Sequence, residues 1–350
     1  MKVAIIINSI VLGGLERVSL NLAYWMSHQN GCHATIVALN RTNKNKYDVD
    51  GFDYYQIEGI NKVFGLRQYI RKKNPDLVLT MGVPLCIYTV PALIGTKVRH
   101  VVSERNDPAH FAGKTTTKIL SRFFMRFADG YVFQTKQAQH YYNKNIIRKS
   151  VIIHNPLLNI PIAENNEKIE IQKEIVTMGR LVKQKNQEML IHAFSLFNKE
   201  FPDYSLTIYG EGEEREKLQS VIESNQLQSK ISLPGSTEDV LNKIKSATLF
   251  VLSSDFEGMP NALMEAMAVG LPCVSTDCPC GGPSELIQNG KNGILVPVGD
   301  ATTMAEAMKK IISERDYAKS LGKEATHINE THSMDKICKQ WQEFFIKILS

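Results

Sequence analysis

Residues 247–277 read ATLFVLSSDFEGMPNALMEAMAVGLPCVSTD, and this stretch has a complete strand, loop, helix and strand pattern. The first apolar run predicts a buried strand at 248–252, the apolar stripe from Ala262 predicts a helix, and the last run predicts a strand at 273–276. Pro260 suits the first position of that helix, where an N–H would have no partner anyway. Two strands joined by a crossover helix indicate a parallel sheet.

The same alternation continues along the chain and predicts parallel sheets covered by helices on both faces. The 350 residues are enough for two domains of about 100 to 200 residues each. Residues 159–173 lose periodicity and become polar, as an interdomain linker does. The other predicted strands are 3–7, 34–39, 76–80, 98–103, 130–133 and 151–153 before the linker, and 174–178, 205–209, 230–233 and 293–296 after it.

The fold class predicted from this pattern is α/β, with two doubly wound, Rossmann-like domains at 1–158 and 174–332. Residues 333–350 form an amphipathic helix with Trp341 and Phe345 on its apolar face, and packing back on the first domain is one arrangement open to it. Ligands of open α/β sheets bind beyond the carboxyl ends of the strands. We therefore expect a site in a cleft between the facing loops of the two domains.

Composition is that of a soluble globular protein, with 43% hydrophobic and 22% charged residues. No apolar run approaches the roughly 18 residues that span a bilayer. Asn8 and Ser9 interrupt the apolar N-terminus and no cleavage motif follows, which argues against a signal peptide. Six scattered cysteines do not form a disulfide framework, so we expect a reducing cytoplasm.

Charge is divided unevenly along the chain. Residues 1–155 contain 21 Lys and Arg against 9 Asp and Glu, a net charge of +12, whereas residues 156–350 contain 20 against 27, a net charge of −7. The basic half predicts an anionic partner. Basic residues recur every fourth position in a predicted helix at 114–129, which suits an anionic membrane surface, although a core-packed helix with a solvated outer face explains the pattern as well: Lys114, Lys118, Arg122 and Arg126.

Two carboxylates mark the segment after the strand at 248–252. Glu257 falls on the loop at the carboxyl end of the strand, and Glu265 falls two turns into the helix. A helix N-terminus favours phosphate, and Gly258 lets a ligand approach the backbone closely. The pattern fits a bound sugar diphosphate, but Glu257 could also merely offset the helix dipole while Glu265 is solvated.

The motif EGMPNALME (257–265) resembles the E-x7-E signature of the retaining GT-B glycosyltransferases of family four. The resemblance covers nearly the whole chain, because further motifs match in order and spacing: VLGGLERV (11–18), MGRLVKQKN (178–186), IYGEGEEREKL (208–218), GLPCVSTD (270–277), GGPSELI (281–287) and NGILVPVGD (292–300). The family has the GT-B fold, in which two Rossmann-like domains face each other across a cleft.

The resemblance implies a role for each matching residue. Glu257 would bind the donor sugar, Arg180 and Lys185 the diphosphate, and Glu265 the ribose hydroxyls. A guanidinium fork and an ammonium on one loop are also what a diphosphate leaving group needs. The other residues that the resemblance places at the donor are Gly13, Gly14, Gly258, Met259, Pro260 and Asn261.

One segment departs from the family pattern. Many members have a histidine where this chain reads VVSERNDP (101–108), so we expect Arg105 or Asp107 to line the acceptor side instead. Such segments occur in a subgroup associated with bacterial surface polysaccharides. The DVD at 48–50 lies in a polar stretch without other metal-site features, and neither a metal nor a cofactor is predicted.

The resemblance therefore implies a metal-independent retaining transfer from a nucleotide sugar, with UDP as the expected carrier, to a lipid-linked or growing glycan. We expect a peripheral protein on the inner face of the cell membrane, with no nucleic acid as partner and with an oligomeric state that the sequence leaves open. A nucleotide-sugar epimerase or phosphorylase of the same fold and a non-catalytic nucleotide-sugar binder are the alternatives.

Overall fold

The computed structural model describes residues 1–11, 13–42, 47–110, 113–157, 170–237 and 240–350. The chain divides into two compact units, which we call unit 1 (Met1–Leu158 and His332–Ser350) and unit 2 (Asn159–Thr331). Most of the predicted linker at 159–173 lies outside the described residues.

Unit 1 is built on a parallel sheet that has seven strands within the described ranges, in the order β3-β2-β1-β4-β5-β6-β7. A short 3₁₀ turn at Val83–Leu85 follows the fourth strand. The elements up to residue 152 are β1 (Lys2–Ile7), α1 (Gly14–Ser27), β2 (His33–Ala38), β3 (Asp53–Gln56), α2 (Lys62–Lys73), β4 (Leu77–Met81), α3 (Cys86–Leu93), β5 (Arg99–Ser103), α4 (Thr115–Met125), β6 (Gly130–Phe133), α5 (Lys136–His140), α6 (Lys144–Arg148) and β7 (Ser150–Ile152).

Unit 2 has a second parallel sheet, with six strands among the residues described, in the order β10-β9-β8-β11-β12-β13. A 3₁₀ turn at Lys183–Lys185 precedes its first helix. Its elements are β8 (Glu174–Met178), α7 (Gln187–Asn198), β9 (Ser205–Tyr209), α8 (Arg215–Ser224), β10 (Ile231–Gly235), α9 (Val240–Ile244), β11 (Leu249–Leu252), α10 (Asn261–Ala268), β12 (Cys273–Thr276), α11 (Gly282–Leu286), β13 (Ile294–Val296), α12 (Ala301–Ser313), α13 (Arg315–Ala325) and α14 (Ile328–Thr331).

The chain returns to unit 1 through α15 (Met334–Leu349). This helix places its apolar face in the unit 1 core, where Trp341 and Phe345 are fully buried beside strand residues such as Ile5 and Leu79. Nowhere in the described ranges is a helix both long enough and apolar enough to span a membrane.

Both sheets reverse strand order at one place, between β1 and β4 in unit 1 and between β8 and β11 in unit 2. The loops that leave the carboxyl ends of these neighbouring strands turn in opposite directions, and this opens a crevice where ligands of such folds bind. The order of the strands therefore points to the loops after β8 and β11 in unit 2.

Two local predictions differ from the structure. The stretch expected to be a polar loop up to residue 53 leads into β3, an edge strand paired with β2, in which Thr35 donates a hydrogen bond to Asp53 at 2.5 Å. The sequence DYYQ contains two strand-favouring tyrosines but is only four residues long and has no apolar run, so it does not indicate a strand without that partner. Pro260 is the N-cap, with φ −78° and ψ 100°, and the helix begins at Asn261.

A pair of histidines joins the two ends of unit 1 that flank unit 2. His154 and His332 stack with ring centroids 5.0 Å apart, and a hydrogen bond of 2.9 Å links Nδ1 of the first ring to Nε2 of the second. The Leu157 N–H donates to the His332 carbonyl at 2.8 Å. Burial and the neighbouring ring of His154 lower the pKa of His332 to about 4.

This lowered pKa predicts that acid destabilises unit 1. In the unfolded chain His332 has an ordinary pKa near 6.5 and binds a proton more readily than in the fold, so its contribution to stability is present above that pH and is lost as the pH falls towards 4. We expect the free energy of unfolding to fall by on the order of 1 to 2 kcal/mol between pH 7 and 5 on account of this residue.

Urea unfolding followed by the fluorescence of Trp25 and Trp341, both in unit 1, measures this effect. His332→Gln should reduce the loss between pH 7 and 5, and the exposed His140→Gln serves as the control. An unchanged pH dependence in the His332 variant would show that the pair does not titrate as described.

Candidate active site

The loops after β8 and β11 are joined by backbone-directed hydrogen bonds. The Asp255 N–H donates to the Gln184 carbonyl at 2.9 Å, and Gln184 Nε2 donates to the Phe256 carbonyl at 2.8 Å. Ser253 Oγ donates to the Lys185 carbonyl at 2.8 Å. The two loops therefore behave as one structural element at the switch point of the unit 2 sheet.

Asn186 sets the direction in which the β8 loop enters its helix. It adopts the left-handed region, with φ 44°, which asparagine tolerates better than most residues. Its Oδ1 accepts from the Met189 N–H at 3.2 Å and caps α7, while its Nδ2 donates to Asp255 at 2.6 Å. One side chain thus caps the helix and holds the β11 loop.

Lys185 and Glu257 form an ion pair at the centre of this element, with Nζ donating to Oε1. The side chains are 17% and 8% exposed, respectively. Ser254 Oγ donates to the same carboxylate oxygen at 2.6 Å, and Thr276 Oγ1 holds the Ser254 carbonyl at 2.6 Å. A carboxylate with so little access to water is stabilised in the fold by such ion-pair and hydrogen-bond partners.

Glycines allow the surrounding loops to approach within backbone contact. A Cβ at Gly282 would overlap the carbonyl oxygen of Gly258, and a Cβ at Gly210 would overlap that of Gly179. Gly179 and Gly210 also have positive φ values of 156° and 144°. The loop after β9 can therefore contact the loop after β8, and the segment after β12 can contact the loop after β11, because these positions lack side chains.

The helix after Glu257 begins at this meeting point. Gly258, Met259 and Pro260 are buried, and Asn261 opens α10 at the surface of the crevice. Glu265 lies in the second turn and is 5% exposed, so it is not a solvated side chain. A buried carboxylate in this position serves directed hydrogen bonds rather than solubility.

Arg180 lies on the β8 loop, but its side chain is exposed. Its carbonyl accepts from Gln187 Nε2 at 3.0 Å, which fixes the backbone and leaves the guanidinium in solvent. The structure thus brings Lys185 and Glu257 into contact and places Arg180 on the same loop. The roles predicted for these residues remain predictions.

The CPC segment at 278–280 packs behind the ion pair. Burial, together with the nearby charge of Glu257, raises the pKa of the Cys278 thiol to about 12, so the thiol stays neutral. Among the residues the structure describes, no three His, Cys, Asp or Glu side chains gather as a metal-binding group. Ser254, Cys278 and Gly282 are neighbours of the site to which no role was predicted from the sequence.

Gly13 and Gly14 occupy the corresponding crevice of unit 1, after β1 and at the start of α1. Gly13 is the N-cap, and its carbonyl accepts from Tyr47 Oη at 3.2 Å. Glu16 lies in the first turn of α1, where a carboxylate offsets the positive end of the helix dipole. The Glu16 carboxylate lies close over Gly13, and the donor-binding role predicted for Gly13 and Gly14 stays a prediction.

Arg105 points into unit 1 rather than into solvent. Its Nη2 donates to Asn155 Oδ1, while Nε and Nη1 are buried without a hydrogen-bond partner among the described residues. Burial lowers the pKa of Arg105 to about 9 in spite of the Glu104 charge. Burial also raises the pKa of Glu104, whose Oε2 accepts from Tyr142 Oη at 2.8 Å.

Asp107 is also buried, and its own turn satisfies it. The carboxylate accepts from the Ala109 N–H at 2.9 Å and from His110 Nδ1 at 2.7 Å. His100, the other histidine near this segment, is buried against Thr80 Oγ1 at 2.8 Å. The acceptor-side role predicted for Arg105 or Asp107 stays a prediction.

The four basic residues at 114–126 do not all face solvent. Arg122 donates to the Pro108 carbonyl at 2.6 Å and to Tyr141 Oη at 2.9 Å, and Lys118 donates to the Ala109 carbonyl at 3.3 Å. Lys114 and Arg126 are exposed. The expected stripe is therefore divided between two contacts inside unit 1 and two cations at the surface.

Comparison with known proteins gives a consistent result. Residues 161–328 match the family model described as Glycosyl transferases group 1. An uncharacterized glycosyltransferase of Haemophilus influenzae is 24% identical over 345 residues, which cover 94% of this chain and 95% of the relative. A Campylobacter jejuni protein is 22% identical over 99% of both chains, and its name is GalNAc-alpha-(1->4)-GalNAc-alpha-(1->3)-diNAcBac-PP-undecaprenol alpha-1,4-N-acetyl-D-galactosaminyltransferase.

Among solved structures, Anabaena HepE in complex with UDP and glucose superposes with a TM-score of 0.85 at 17% identity, over 99% of this chain and all of that one. At this identity the likeness concerns the fold alone. Together with the two parallel sheets, it confirms the predicted GT-B fold class.

The ion pair predicts an asymmetry in stability. Lys185→Met should lower the free energy of unfolding of unit 2 by about 3 kcal/mol, because it leaves the Glu257 charge buried with only hydrogen bonds. Lys185→Met with Glu257→Gln should regain most of that loss, since no unpaired charge remains. Lys183→Met, at an exposed lysine of the same turn, is the control.

Chemical denaturation followed by circular dichroism measures these differences. Equal destabilisation by the Lys185 and Lys183 variants would contradict the described role of the pair.

Proposed function

We propose that this chain, whose residues 161–328 match the family model of the glycosyl transferases group 1, is a retaining glycosyltransferase that uses a nucleotide sugar. The expected donor is UDP-linked, and the expected acceptor is a lipid-linked or growing glycan of a bacterial surface polysaccharide. One observation supports the proposal most strongly, namely the Lys185–Glu257 pair at the switch point of the unit 2 sheet.

We infer that the pair is the resting form of the donor site. Lys185 neutralises Glu257 until a diphosphate competes for the ammonium group. Phosphate oxygens can compete because they accept hydrogen bonds from Lys just as carboxylate oxygens do. Glu257 then has hydrogen-bonding capacity for the hydroxyls of the donor sugar. Ser254, at 2.6 Å, keeps the carboxylate oriented during this exchange.

The rest of the donor would extend along the α10 segment. The N-terminal end of α10 favours the diphosphate, and Arg180 can swing from solvent onto it. Glu265 would accept from the ribose hydroxyls. Gly258, Met259, Pro260 and Asn261 form the backbone between the two carboxylates, so sugar, diphosphate and ribose are arranged in that order.

In the proposed reaction, the bond between the anomeric carbon and the phosphate oxygen breaks as the acceptor oxygen bonds to the same face of the sugar. The proton of the acceptor hydroxyl passes to the departing phosphate oxygen. Arg180 and Lys185 stabilise the negative charge that develops on the diphosphate, which makes the proposed reaction independent of a metal. The protein otherwise contributes positioning.

The acceptor is assigned to unit 1 by resemblance, with Arg105 or Asp107 on the acceptor side, while Gly13 and Gly14 would approach the donor. The name of the Campylobacter jejuni relative specifies an undecaprenol-diphosphate-linked acceptor, and the Anabaena structure contains UDP. The first supports a lipid-linked acceptor for this chain and the second a UDP donor. A lipid-linked acceptor in turn supports the proposed position at the inner face of the cell membrane.

Two alternatives make different predictions. A same-fold epimerase or phosphorylase converts its substrate without a separate sugar acceptor or depends on free phosphate. A non-catalytic binder is stabilised by nucleotide sugars but forms no product. The Lys185–Glu257 pair does not favour either alternative.

The test is a transfer assay with UDP- and GDP-linked sugars and a lipid-linked glycan acceptor, with product identified by mass spectrometry. Glu257→Gln should lower kcat by about 10² to 10³-fold, because the amide still accepts from Ser254 but no longer carries the charge. Arg180→Ala should lower kcat/KM by removing a diphosphate contact. Glu213→Gln, at an exposed carboxylate of unit 2, is the control.

Full activity in the Glu257 variant would refute this site. Thermal stabilisation by UDP without any product, across acceptors, would favour the non-catalytic alternative. Turnover of the donor without an acceptor would favour the epimerase or phosphorylase.

A further inference from the structure

The outward face of α4 and of the turn that follows it at 126–127, which we call the α4 face, is apolar. Ile119, Leu120, Phe123 and Phe127 are each between 50% and 64% exposed, while Ser121 and Met125 face the interior. The Phe123 and Phe127 rings contact each other with centroids 5.5 Å apart. Clustered exposure of large apolar side chains on a folded protein marks an interaction site rather than ordinary surface.

A cationic pocket lies at the end of the same helix. It has a volume of about 280 Å³ and is open to solvent. Arg126 and Lys149 supply two exposed cations, and no acidic side chain among the described residues pairs with them. The full lining is Arg126, Tyr131, Asn143, Asn145, Ile146 and Lys149.

The nearest carboxylate in sequence is already engaged. Asp129 accepts from Arg99 Nη1 at 3.0 Å and from the His100 N–H at 2.8 Å. The two pocket cations are therefore not neutralised by it. Two cations beside amide side chains and an open volume suit a phosphate group.

The pocket is separate from the predicted acceptor side. Arg126 precedes β6 and Lys149 precedes β7, where the Lys149 carbonyl accepts from the Tyr131 N–H at 3.1 Å. The pocket thus lies at the amino ends of these parallel strands, whereas Arg105 and Asp107 follow the carboxyl end of β5. The pocket is therefore not part of the predicted reaction centre.

We propose that the α4 face and this pocket together bind an anionic phospholipid membrane. The apolar side chains enter the interface between headgroups and acyl chains, and the pocket takes the phosphate of one headgroup. Lys118 and Arg122 hold the segment at 108–109 against α4 rather than contacting lipid. The inference rests on the proposed membrane location but not on the proposed sugar transfer.

Charge favours a membrane over a protein as the occupant. The net charge of +12 in residues 1–155 complements the negative charge of an anionic leaflet. Each cation near such a leaflet strengthens the attraction of the protein to its phosphate-bearing headgroups. An apolar strip bordered by Arg126 at one end has the form of an interfacial helix.

Flotation with vesicles of phosphatidylcholine, with and without phosphatidylglycerol, tests the proposal on the full chain. Binding should require phosphatidylglycerol. Arg126→Ala with Lys149→Ala should weaken it by about tenfold or more, since two cations leave the surface. Phe123→Ser with Phe127→Ser should weaken it to a similar degree by removing the inserted area.

The controls match each change in kind. Arg71→Ala with Lys72→Ala removes one exposed Arg and one exposed Lys from the last turn of α2, and Phe64→Ser replaces an exposed phenylalanine of the same helix. Both should bind vesicles almost as the unchanged protein does. If the test and control variants lost vesicle binding equally, the pocket would not be a lipid site and the binding would be a general effect of charge.

Two further outcomes would also overturn the proposal. In the first, free glycerol phosphate at the same phosphate concentration as the lipid abolishes binding to vesicles, which would indicate a soluble phosphate ligand. The other is concentration-dependent dimerisation that Phe123→Ser with Phe127→Ser removes, which would indicate a second copy on α4.

Donor turnover with an acceptor presented in detergent separates this inference from the proposed function. The pocket variants should retain that turnover. Loss of vesicle binding with intact turnover supports the lipid site, whereas intact binding with no turnover in the unchanged protein leaves the lipid site standing and removes the proposed chemistry.

Discussion

The contact between Lys185 and Glu257 is the ion pair around which the loops of unit 2 are arranged. The loops that carry them leave neighbouring strands, β8 and β11, in opposite directions, so a charge from each can meet only at the point where the strand order reverses. The side chains are almost excluded from water, and each makes the burial of the other tolerable. In the proposed function, a diphosphate that replaces Glu257 as the partner of Lys185 would therefore also release the Glu257 carboxylate for the donor sugar.

The position of that contact depends on absent side chains as much as on charged ones. Gly210 lies against Gly179, and Gly282 lies against Gly258, each so closely that no Cβ fits. Four loops from four strands converge through these contacts. Asn186, held in the left-handed region, completes the arrangement by tying the start of α7 to the β11 loop. The crevice is thus formed by backbone, and the side chains of Lys185 and Glu257 project from it. Inserting or deleting a residue in these loops would move the two side chains away from each other.

Much of this could be predicted from the sequence. Apolar runs located the buried central strands because such strands are apolar on both faces, and the segment from Leu249 to Thr276 indicated the parallel crossover directly. The edge strand β3 was missed because DYYQ gains its stability from pairing with β2 rather than from its own residues. The carboxylates Glu257 and Glu265 were found by their spacing. The ion pair, the support from Ser254 and the inward course of Arg105 could not be, because they depend on side-chain directions across loops distant in sequence.

The last helix gives the chain an order of assembly that runs against its order of synthesis. Trp341 and Phe345 of α15 complete the core around Ile5 and Leu79, yet they leave the ribosome after every residue of unit 2. Unit 1 is synthesised first but cannot complete its apolar core until α15 has been made. Unit 2 is synthesised later but contains all of its own strands, so it can fold as soon as it has left the ribosome. A nascent chain of this protein is therefore expected to depend on chaperones for as long as its final turns are still inside the exit tunnel.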